Sequence, residues 1–218
     1  MLVTDHCTFI SEEYLVQNTE PWHRFRKEGF GASEAAVLSG TNKWKSVLDL
    51  WAEKTGKATN DFVITPAIQH GIDTEPEARE MFTIATGLEM KPICAVSKQY
   101  PFCRASLDGI NEDKTILLEI KCPSRLPIHM NTIRGTIPEY YYPQLQHQLF
   151  VTGAKLNCFW SYMQNIGGFM LEFTPNLPYI EELIKREEKL WDCVKNDNEP
   201  DPNHYLPMTP ETSPQFFS

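Results

Sequence analysis

The first half of the chain places short apolar stretches at helical spacing between residues that start or stop helices. The pattern predicts two short helices within residues 22–40, split at 29–31, then one helix over 46–56 and a long one over 65–87. Ser33 is a candidate N-cap for the second short helix. Pro66 suits a first helical position and Gly87 a position just after the last one. Pro76 falls inside the long segment and predicts a bend or a new helix start there.

After Gly87 the pattern changes to short β-branched and apolar runs. It predicts strands over 89–97, 102–107 and 115–121, a helix over 138–152, a hairpin of 155–163 with 167–174, and a closing helix over 178–194. Asp108-Gly109 and residues 111–113 are interpreted as turns. The prolines of the last residues favour an extended tail. The sequence thus predicts one α/β domain over 1–199, with a single mixed sheet flanked by helices, and a proline-rich tail over 200–218.

Composition narrows the class of protein. A chain of 218 residues with 41% hydrophobic content can build the core of a single domain. It has no apolar run of the ~20 residues that a membrane span needs, and its first residues lack the pattern of a secretory signal. Its six cysteines are widely spaced without a CxxC pair, which is typical of free thiols in a reducing compartment. We therefore expect a cytoplasmic protein without a membrane segment.

The net charge of −9 excludes a surface that is basic throughout. If the chain binds nucleic acid, it must do so through a local basic patch or through metal ions, because phosphate backbones require positive charge.

The candidate chemistry lies in the predicted strand meander. Glu119 and Lys121 are two residues apart, so on a strand they project from the same face while Ile120 points the other way. A hairpin would bring Asp108 beside Glu119. Two converging carboxylates form a hard-oxygen site suited to Mg²⁺ or Mn²⁺, and Lys121 could orient or deprotonate a water or hold charge that develops on phosphorus.

A purely structural interpretation also fits these residues. An Asp-Gly pair is often only a hairpin turn, and Glu-x-Lys on a strand is often an exposed charge pair. The surrounding run, ILLEIKCP, favours the functional interpretation because charges within an apolar strand are costly to bury without a purpose.

Five segments together resemble the lambda-exonuclease group of phage recombination nucleases, also called YqaJ-like, of the PD-(D/E)XK superfamily. In chain order they are WHRFRKEGFGASEAA, GIDTEPEAREMF, ASLDGI, LLEIKCP and YYPQLQHQLFVTG. They occur in the family's order and at about its spacing, and they cover roughly residues 20–165. The resemblance implies the PD-(D/E)XK nuclease fold.

The resemblance also implies roles for the carboxylate cluster. Asp108 and Glu119 would bind the metal ions, with the backbone carbonyl of Ile120 as a further ligand. Lys121 matches the lysine that activates the attacking water. Glu75, on the predicted long helix, matches an upstream glutamate that assists the site. Taken alone, Glu75 is also compatible with a solvated charge near a helix N-terminus.

A second group of residues matches positions that contact DNA in the family. Arg26 corresponds to the arginine that grips the phosphate at the 5′ end, although Arg24 and Lys27 are neighbouring alternatives. Ser33 matches a phosphate-binding serine, and a hydroxyl at a helix N-terminus is itself suited to anions, but it could act only as a cap. Gln144 matches a glutamine near the active site. Only the motif distinguishes it from the plausible alternatives Gln146, His147 and Gln148.

The implied function is a Mg²⁺-dependent exonuclease that degrades linear double-stranded DNA from 5′ to 3′ and leaves 3′ overhangs for strand-annealing recombination. The resemblance implies two Mg²⁺ ions, for which Mn²⁺ can substitute, and a homotrimeric ring around the DNA. It also implies a single-strand annealing protein as partner and a phage or prophage origin in a bacterial host.

Three alternatives stay open from the sequence alone. They are a structure-specific endonuclease of the same superfamily, a catalytically silent scaffold that binds DNA ends, and a small-molecule hydrolase with one metal ion. The aromatic residues Trp22, Phe25 and Phe30 lie near Arg26 in the sequence and either stack on bases at the duplex end or belong to the core.

Overall fold

The computed structural model describes residues 2–3, 5–11, 13–15, 19–58 and 64–209. The strands are β1 (Leu2–Val3), β2 (Cys7–Ser11), β3 (Phe30–Gly31), β4 (Lys91–Ser97), β5 (Cys103–Ile110), β6 (Ile116–Lys121), β7 (Leu156–Met163) and β8 (Gly167–Phe173). The helices are α1 (Glu20–Lys27), α2 (Ala35–Leu38), α3 (Val47–Lys54), α4 (Pro66–Thr86), α5 (Leu126–Ile133), α6 (Tyr142–Thr152) and α7 (Leu177–Lys195). Short 3₁₀ turns cover Ala32–Glu34, Glu139–Tyr141 and Pro202–Tyr205.

All of these strands belong to one sheet of order β1-β2-β4-β5-β6-β7-β8, with β3 paired to β5. The pairings β6–β7 and β3–β5 are parallel, and the others are antiparallel. The parallel β6–β7 pair requires a crossover, which the chain makes through α5 and α6. A single mixed sheet flanked by helices confirms the predicted fold class.

Alternation along β6 divides the core into two layers. Leu118 and Ile120 face α4 and pack with Phe82 in one apolar cluster. Leu117 faces the opposite side and belongs to a cluster that includes Leu149 of α6 and residues of α7. Because successive strand residues point to opposite faces, Glu119 and Lys121 share the α6 side with Leu117. The sheet therefore directs the candidate catalytic side chains at α6.

The helices with clear start and stop residues form where the sequence predicts them. The Ser46 side chain accepts a hydrogen bond from the Asp49 N–H and begins α3 with a capping box. In α4 the first position is Pro66, and the chain leaves the helix at Gly87, whose φ of 74° is left-handed. This helix runs through Pro76 without ending.

Four elements were not predicted: strands β1, β2 and β3, and helix α5. Strand β3 lies where the sequence predicted only a break between two short helices. Strands β1 and β2 lie in the first twenty residues, where no element was expected, and β2 forms because it pairs with the distant strand β4. Helix α5 has no side-chain hydrogen bond at its N-cap and begins with a proline in its first turn, so its local signal is weak. Tertiary pairing and packing stabilise these elements, and local residue preferences contribute little. The sequence therefore carries only a weak signal for them.

The beginning of the predicted C-terminal tail is folded. Tyr205, in the last 3₁₀ turn, is buried among side chains of α2, α3 and α7. The Met208 N–H donates to the Ser39 carbonyl at 2.8 Å. An extended tail is therefore wrong for residues 202–205, and residues 210–218 lie outside the described residues. Within the described ranges, no helix is long and apolar enough to cross a membrane.

Candidate active site

A β-bulge positions Asp108. Between the pairs Lys91–Ile110 and Ile93–Leu107, strand β4 advances two residues while β5 advances three, so β5 carries one extra residue at Asp108-Gly109. The expectation that Asp108-Gly109 is a turn is therefore wrong, since both residues lie within β5. Glycine is required next to Asp108 because a Cβ there would lie 2.8 Å from the Met90 Cβ.

The bulge redirects Asp108 toward β6. The ladder between β5 and β6 ends at Gly109 and Leu118, and beyond it the Ile120 N–H donates to the Asp108 Oδ2 at 2.8 Å. Because the N–H and C=O of one strand residue point to the same edge, the Ile120 carbonyl faces this carboxylate as well. The Asp108 side chain thus takes the place of a backbone partner, next to Glu119.

Glu119 is buried and is held by three donors. Its Oε1 accepts hydrogen bonds from the Gln144 amide, at 2.6 Å, and from the Lys121 ammonium. Its Oε2 accepts from the Gln148 amide at 2.6 Å. The Gln148 Oε1 in turn accepts from the Asn157 amide at 2.7 Å, which fixes the orientation of the glutamine. Only 2% of the Glu119 side chain is exposed, so these bonds replace its hydration.

Lys121 lies between the carboxylates and the Tyr141 ring, whose centroid is 5.0 Å from the ammonium. Burial lowers the pKa of Lys121, but the negative charges of Glu119 and Asp108 and the neighbouring Tyr141 raise it more, so that the net shift is upward. In this geometry Lys121 carries a positive charge at neutral pH.

Glu75 of α4 completes the acidic side of the site. It pairs with Arg79, and the Arg79 Nε donates to the Asp108 carbonyl freed by the bulge, at 2.8 Å. Burial and the charges of Glu119 and Glu75 raise the pKa of Asp108 well above its usual value. Burial, opposed by Arg79 but aided by Glu119, raises the pKa of Glu75. Three carboxylates therefore repel one another here.

The predicted phosphate-contacting residues lie together. The Arg26 Nη2 donates to the Ser33 Oγ at 2.8 Å, and the guanidinium packs 4.9 Å from the Trp22 ring. The expected role of Ser33 as an N-cap is wrong: it lies inside the 3₁₀ turn. Glu34 reaches back to the Gly31 N–H at 2.8 Å instead. A glutamate can satisfy that donor because the buried Lys54 neutralises it, at 2.9 Å.

A single cleft of about 190 Å³ joins the two groups of residues. Its lining includes both carboxylates, the lysine, the glutamine and the phosphate-contacting pair: Asp108, Glu119, Lys121, Gln144, Arg26 and Ser33. Glu75 is close enough for its charge to act on the cluster but is directed at Arg79. The sequence-predicted residues of both groups therefore meet in one place.

The aromatic residues near Arg26 are packed into the core. Phe30 is fully buried, and Trp22 and Phe25 are 9% and 7% exposed. Trp22 donates its Nε1–H to the Ser106 hydroxyl at 3.4 Å, and Phe25 packs beneath β4 with Cys94. Trp22 and Phe25 line the cleft, whereas Phe30 lies in the core away from it. All three rings are packed as core residues, which is the second of the two roles that the sequence left open.

Asn157 and Tyr141 were not identified as site residues from the sequence, and Gln148 was left open as one of the polar alternatives to Gln144. Gln144 and Gln148 are four residues apart on α6, and this spacing places two side chains on one helix face, so the pair could have been found by that signal. Asn157 and Tyr141 reach the site only through the packing of β7 and of the turn before α6. No local pattern marks Asn157, and Tyr141 belongs to the segment YYPQLQHQLFVTG without a role of its own being predicted.

The donor set suits a divalent cation. Asp108 and Glu119 supply carboxylate oxygens, and the Ile120 carbonyl faces the same space, which are hard ligands that Mg²⁺ and Mn²⁺ prefer. Burial and the repulsion from Glu119 and Glu75 raise the pKa of Asp108, and a cation would offset both effects. Among the described residues, no group of three His, Cys, Asp or Glu side chains has the arrangement of a metal cluster. An ion here would therefore complete its shell with the carbonyl and water.

Comparison with known proteins identifies the family. The model of the YqaJ-like viral recombinase domain matches residues 21–155, which include every residue of the cleft. The chain belongs to this family. It is 30% identical over 149 residues to the YqaJ protein of Bacillus subtilis strain 168, an alignment that covers 66% of the chain. The alignment covers 46% of YqaJ, so the chain spans a little under half the length of that relative.

Solved structures agree with the family assignment. An alkaline exonuclease from Laribacter hongkongensis is 26% identical, with a TM-score of 0.71 over 82% of this chain and 94% of its own. The same enzyme in complex with dAMP matches with a TM-score of 0.72 at 25% identity. A phage-related exonuclease from Haemophilus somnus 129PT shares the fold, with a TM-score of 0.58 over 78% of this chain and 96% of its own, at 12% identity. The resemblance inferred from the sequence is thus confirmed.

Proposed function

We propose that this protein is a metal-dependent exonuclease that hydrolyses the 5′-ended strand of linear double-stranded DNA and leaves 3′ overhangs. One observation carries the proposal. A single cleft holds two carboxylates and a lysine suited to phosphodiester hydrolysis, beside an arginine and a serine hydroxyl suited to a terminal phosphate. Membership of the YqaJ-like family and similarity to a named alkaline exonuclease support the reaction class.

Asp108, Glu119 and the Ile120 carbonyl would hold the metal, for which we propose Mg²⁺ with Mn²⁺ as a substitute. The bound metal would supply an activated water and charge stabilisation at phosphorus. Gln144 and Gln148 keep the Glu119 carboxylate oriented through hydrogen bonds of 2.6 Å each. Such bonds preorganise the site before DNA arrives.

Lys121 is suited to stabilise negative charge and to orient water. The neighbouring carboxylates favour its ammonium form, and the ammonium lines the cleft next to Glu119. Negative charge develops on the phosphoryl oxygens during in-line displacement, and a fixed cation nearby stabilises that charge strongly in a partly buried cleft. Glu75 assists by holding Arg79, which in turn donates to the backbone at Asp108.

Arg26 and Ser33 support attack from the 5′ end. Their side chains already contact each other in the cleft, so one phosphate could accept hydrogen bonds from both without a change in backbone. We further propose a homotrimer that encloses the duplex and a single-strand annealing protein that receives the 3′ strand. Both proposals rest on the family resemblance alone.

The test uses linear duplex DNA with distinguishable labels on the 5′ and 3′ ends of one strand, and a covalently closed circle of the same sequence. In Mg²⁺ we expect early loss of the 5′ label, a 3′ label that stays on long strands, and an intact circle. Cutting of the circle would favour a structure-specific endonuclease. Binding to ends without cleavage in Mg²⁺ or Mn²⁺ would favour a silent scaffold, and either result would refute the proposal.

A further inference from the structure

A pair made of an exposed tryptophan and a half-buried tyrosine lies near the cleft. Trp44 is 73% exposed, and its ring packs edge-to-face with that of Tyr140, at 5.0 Å between centroids. Trp160 is buried in the core, Trp22 and Trp51 are 9% and 8% exposed, and Trp191 is half-buried, so Trp44 differs from the other tryptophans. An open indole face of this kind is a surface on which a second aromatic ring can stack.

The backbone holds Trp44 in this exposed position. The Asn42 Oδ1 accepts hydrogen bonds from the N–H groups of both Trp44 and Lys45, each at 2.8 Å. The capped start of α3 at Ser46 follows directly, and Lys45 pairs with Glu53 of that helix at 2.8 Å. The segment 42–46 is therefore held at both ends by hydrogen bonds, and the backbone position of Trp44 is fixed.

A series of ring contacts connects this pair with the active site. Tyr140 contacts Tyr141 at 4.5 Å, and the Tyr141 ring lies 5.0 Å from the Lys121 Nζ. With the 5.0 Å contact between Trp44 and Tyr140, the indole is within about 15 Å of the ammonium. Bases are stacked ~3.4 Å apart along a strand, so this distance corresponds to about four nucleotides.

We propose that Trp44 and Tyr140 form a stacking site for a nucleobase within about four nucleotides of the phosphate that reacts. Every base presents a π-face, so aromatic stacking binds DNA without sequence preference. The exposed Lys43 adjoins Trp44 and can attract the flanking phosphate, whereas the chain as a whole is acidic. The proposal rests on the proposed function, because it assumes that DNA occupies the cleft.

The test compares binding of end-labelled duplex DNA to the wild type, Trp44→Ala and Trp44→Phe in EDTA, followed by fluorescence anisotropy. We expect Trp44→Ala to weaken binding by roughly 5- to 150-fold, the range for loss of one stacking aromatic. Trp44→Phe keeps a ring and should retain most of the affinity. Ile84→Ala, a similarly exposed apolar site on α4, serves as matched control and should bind like the wild type.

An abasic substitution makes the test specific for stacking. In a series of duplexes with one abasic residue at successive positions from the 5′ end, the effect of Trp44→Ala should disappear at one position. Equal loss with every duplex, or no loss with any, would overturn the proposal. A loss of affinity that follows a change in molar mass by light scattering would assign Trp44 to contacts between copies and also overturn it.

The outcome can be separated from that of the proposed function. If the wild type binds ends but does not cleave them in Mg²⁺, the exonuclease proposal fails while the abasic series still decides the stacking proposal. If the wild type cleaves ends and the Trp44→Ala variant binds every duplex as tightly as the wild type does, only the stacking proposal fails. An absence of DNA binding by the wild type would refute both.

Discussion

Arg26→Ala should remove the distinction between 5′-phosphorylated and 5′-hydroxyl ends. The Arg26 guanidinium lines the cleft and already donates to the Ser33 hydroxyl at 2.8 Å. A charge-assisted hydrogen bond contributes about 1.5–3 kcal/mol. Its loss corresponds to a decrease of about 10- to 150-fold in kcat/KM. We expect this decrease on phosphorylated ends and little change on hydroxyl ends, where the phosphate that Arg26 binds is absent.

The assay measures initial rates of nucleotide release from two duplexes that differ only in the terminal 5′ phosphate. Arg24→Ala is the matched control, because Arg24 lies on the same helix but its side chain is 68% exposed and pairs with Glu20 outside the cleft. That change should alter both rates by no more than about twofold. An equal loss on both ends after Arg26→Ala, or an equal effect of Arg24→Ala, would refute the assignment of Arg26 to the terminal phosphate.

Three further predictions concern the interior of the site and its support. Gln148→Leu removes a buried donor to Glu119, so the free energy of unfolding should fall by about 1–3 kcal/mol in urea titrations, and kcat should fall while DNA affinity is kept. Asp108→Asn keeps an acceptor but removes a repelled charge; it should raise the unfolding free energy by about 1–2 kcal/mol without metal while cleavage is lost. Glu187→Gln removes the charge that faces the buried His147, so stability should fall by about 3 kcal/mol at pH 6, measured by urea titration across pH.

The pH dependence of the last variant follows from the pKa of His147. Burial lowers this pKa, but the Glu187 carboxylate and hydrogen bonds to Glu187 and the Arg104 carbonyl raise it above the ordinary value of 6.5. The stability from the pair is therefore complete below about pH 6.5 and is lost as pH rises through the raised folded value. The difference between wild type and Glu187→Gln should shrink with rising pH, and a difference that grows would contradict the pairing.

Neighbouring exposed residues provide controls for two of these changes. Glu188→Gln alters the next residue of α7, which is exposed, and Asp113→Asn alters an exposed turn. Both should change stability by less than about 0.5 kcal/mol. If Asp108→Asn destabilises the metal-free protein, the carboxylates do not repel one another as proposed. If Gln148→Leu leaves kcat unchanged, the glutamine does not orient Glu119.

Local signals explain which parts of the fold could be predicted. Helix α4 begins at Pro66 and ends before Gly87, and each residue acts on its own backbone, so the boundaries were predictable. Strand β6, which carries both Glu119 and Lys121, was predictable because its apolar residues pack on both faces of the sheet and therefore form a continuous apolar run in the sequence. Strand β2 was missed because its stability comes from pairing with β4, about eighty residues later in the chain.

Asp108 shows why the site could be predicted only in part. Its pairing with Glu119 was expected from a hairpin, but an Asp-Gly pair looks the same in a turn as in a bulge. Two neighbouring strands distinguish the bulge from a turn. Pairing with β4 leaves one residue of β5 extra, and β6 supplies the Ile120 N–H that donates to the Asp108 carboxylate. Gln148 and Asn157 likewise come together at the site only when α6 packs over β6 and β7.

The central claim is that the cleft around Lys121 hydrolyses DNA at free ends. The most direct measurement is the Mg²⁺-dependent rate of nucleotide release from linear duplex DNA by the wild type and by the variants Lys121→Met and Lys155→Met. Lys155 is an exposed lysine just before β7, so its variant serves as the control. We expect release by the wild type, a rate at least about 100-fold lower for Lys121→Met, and a change of less than about twofold for Lys155→Met. Equal rates for wild type and a folded Lys121→Met would contradict the central claim.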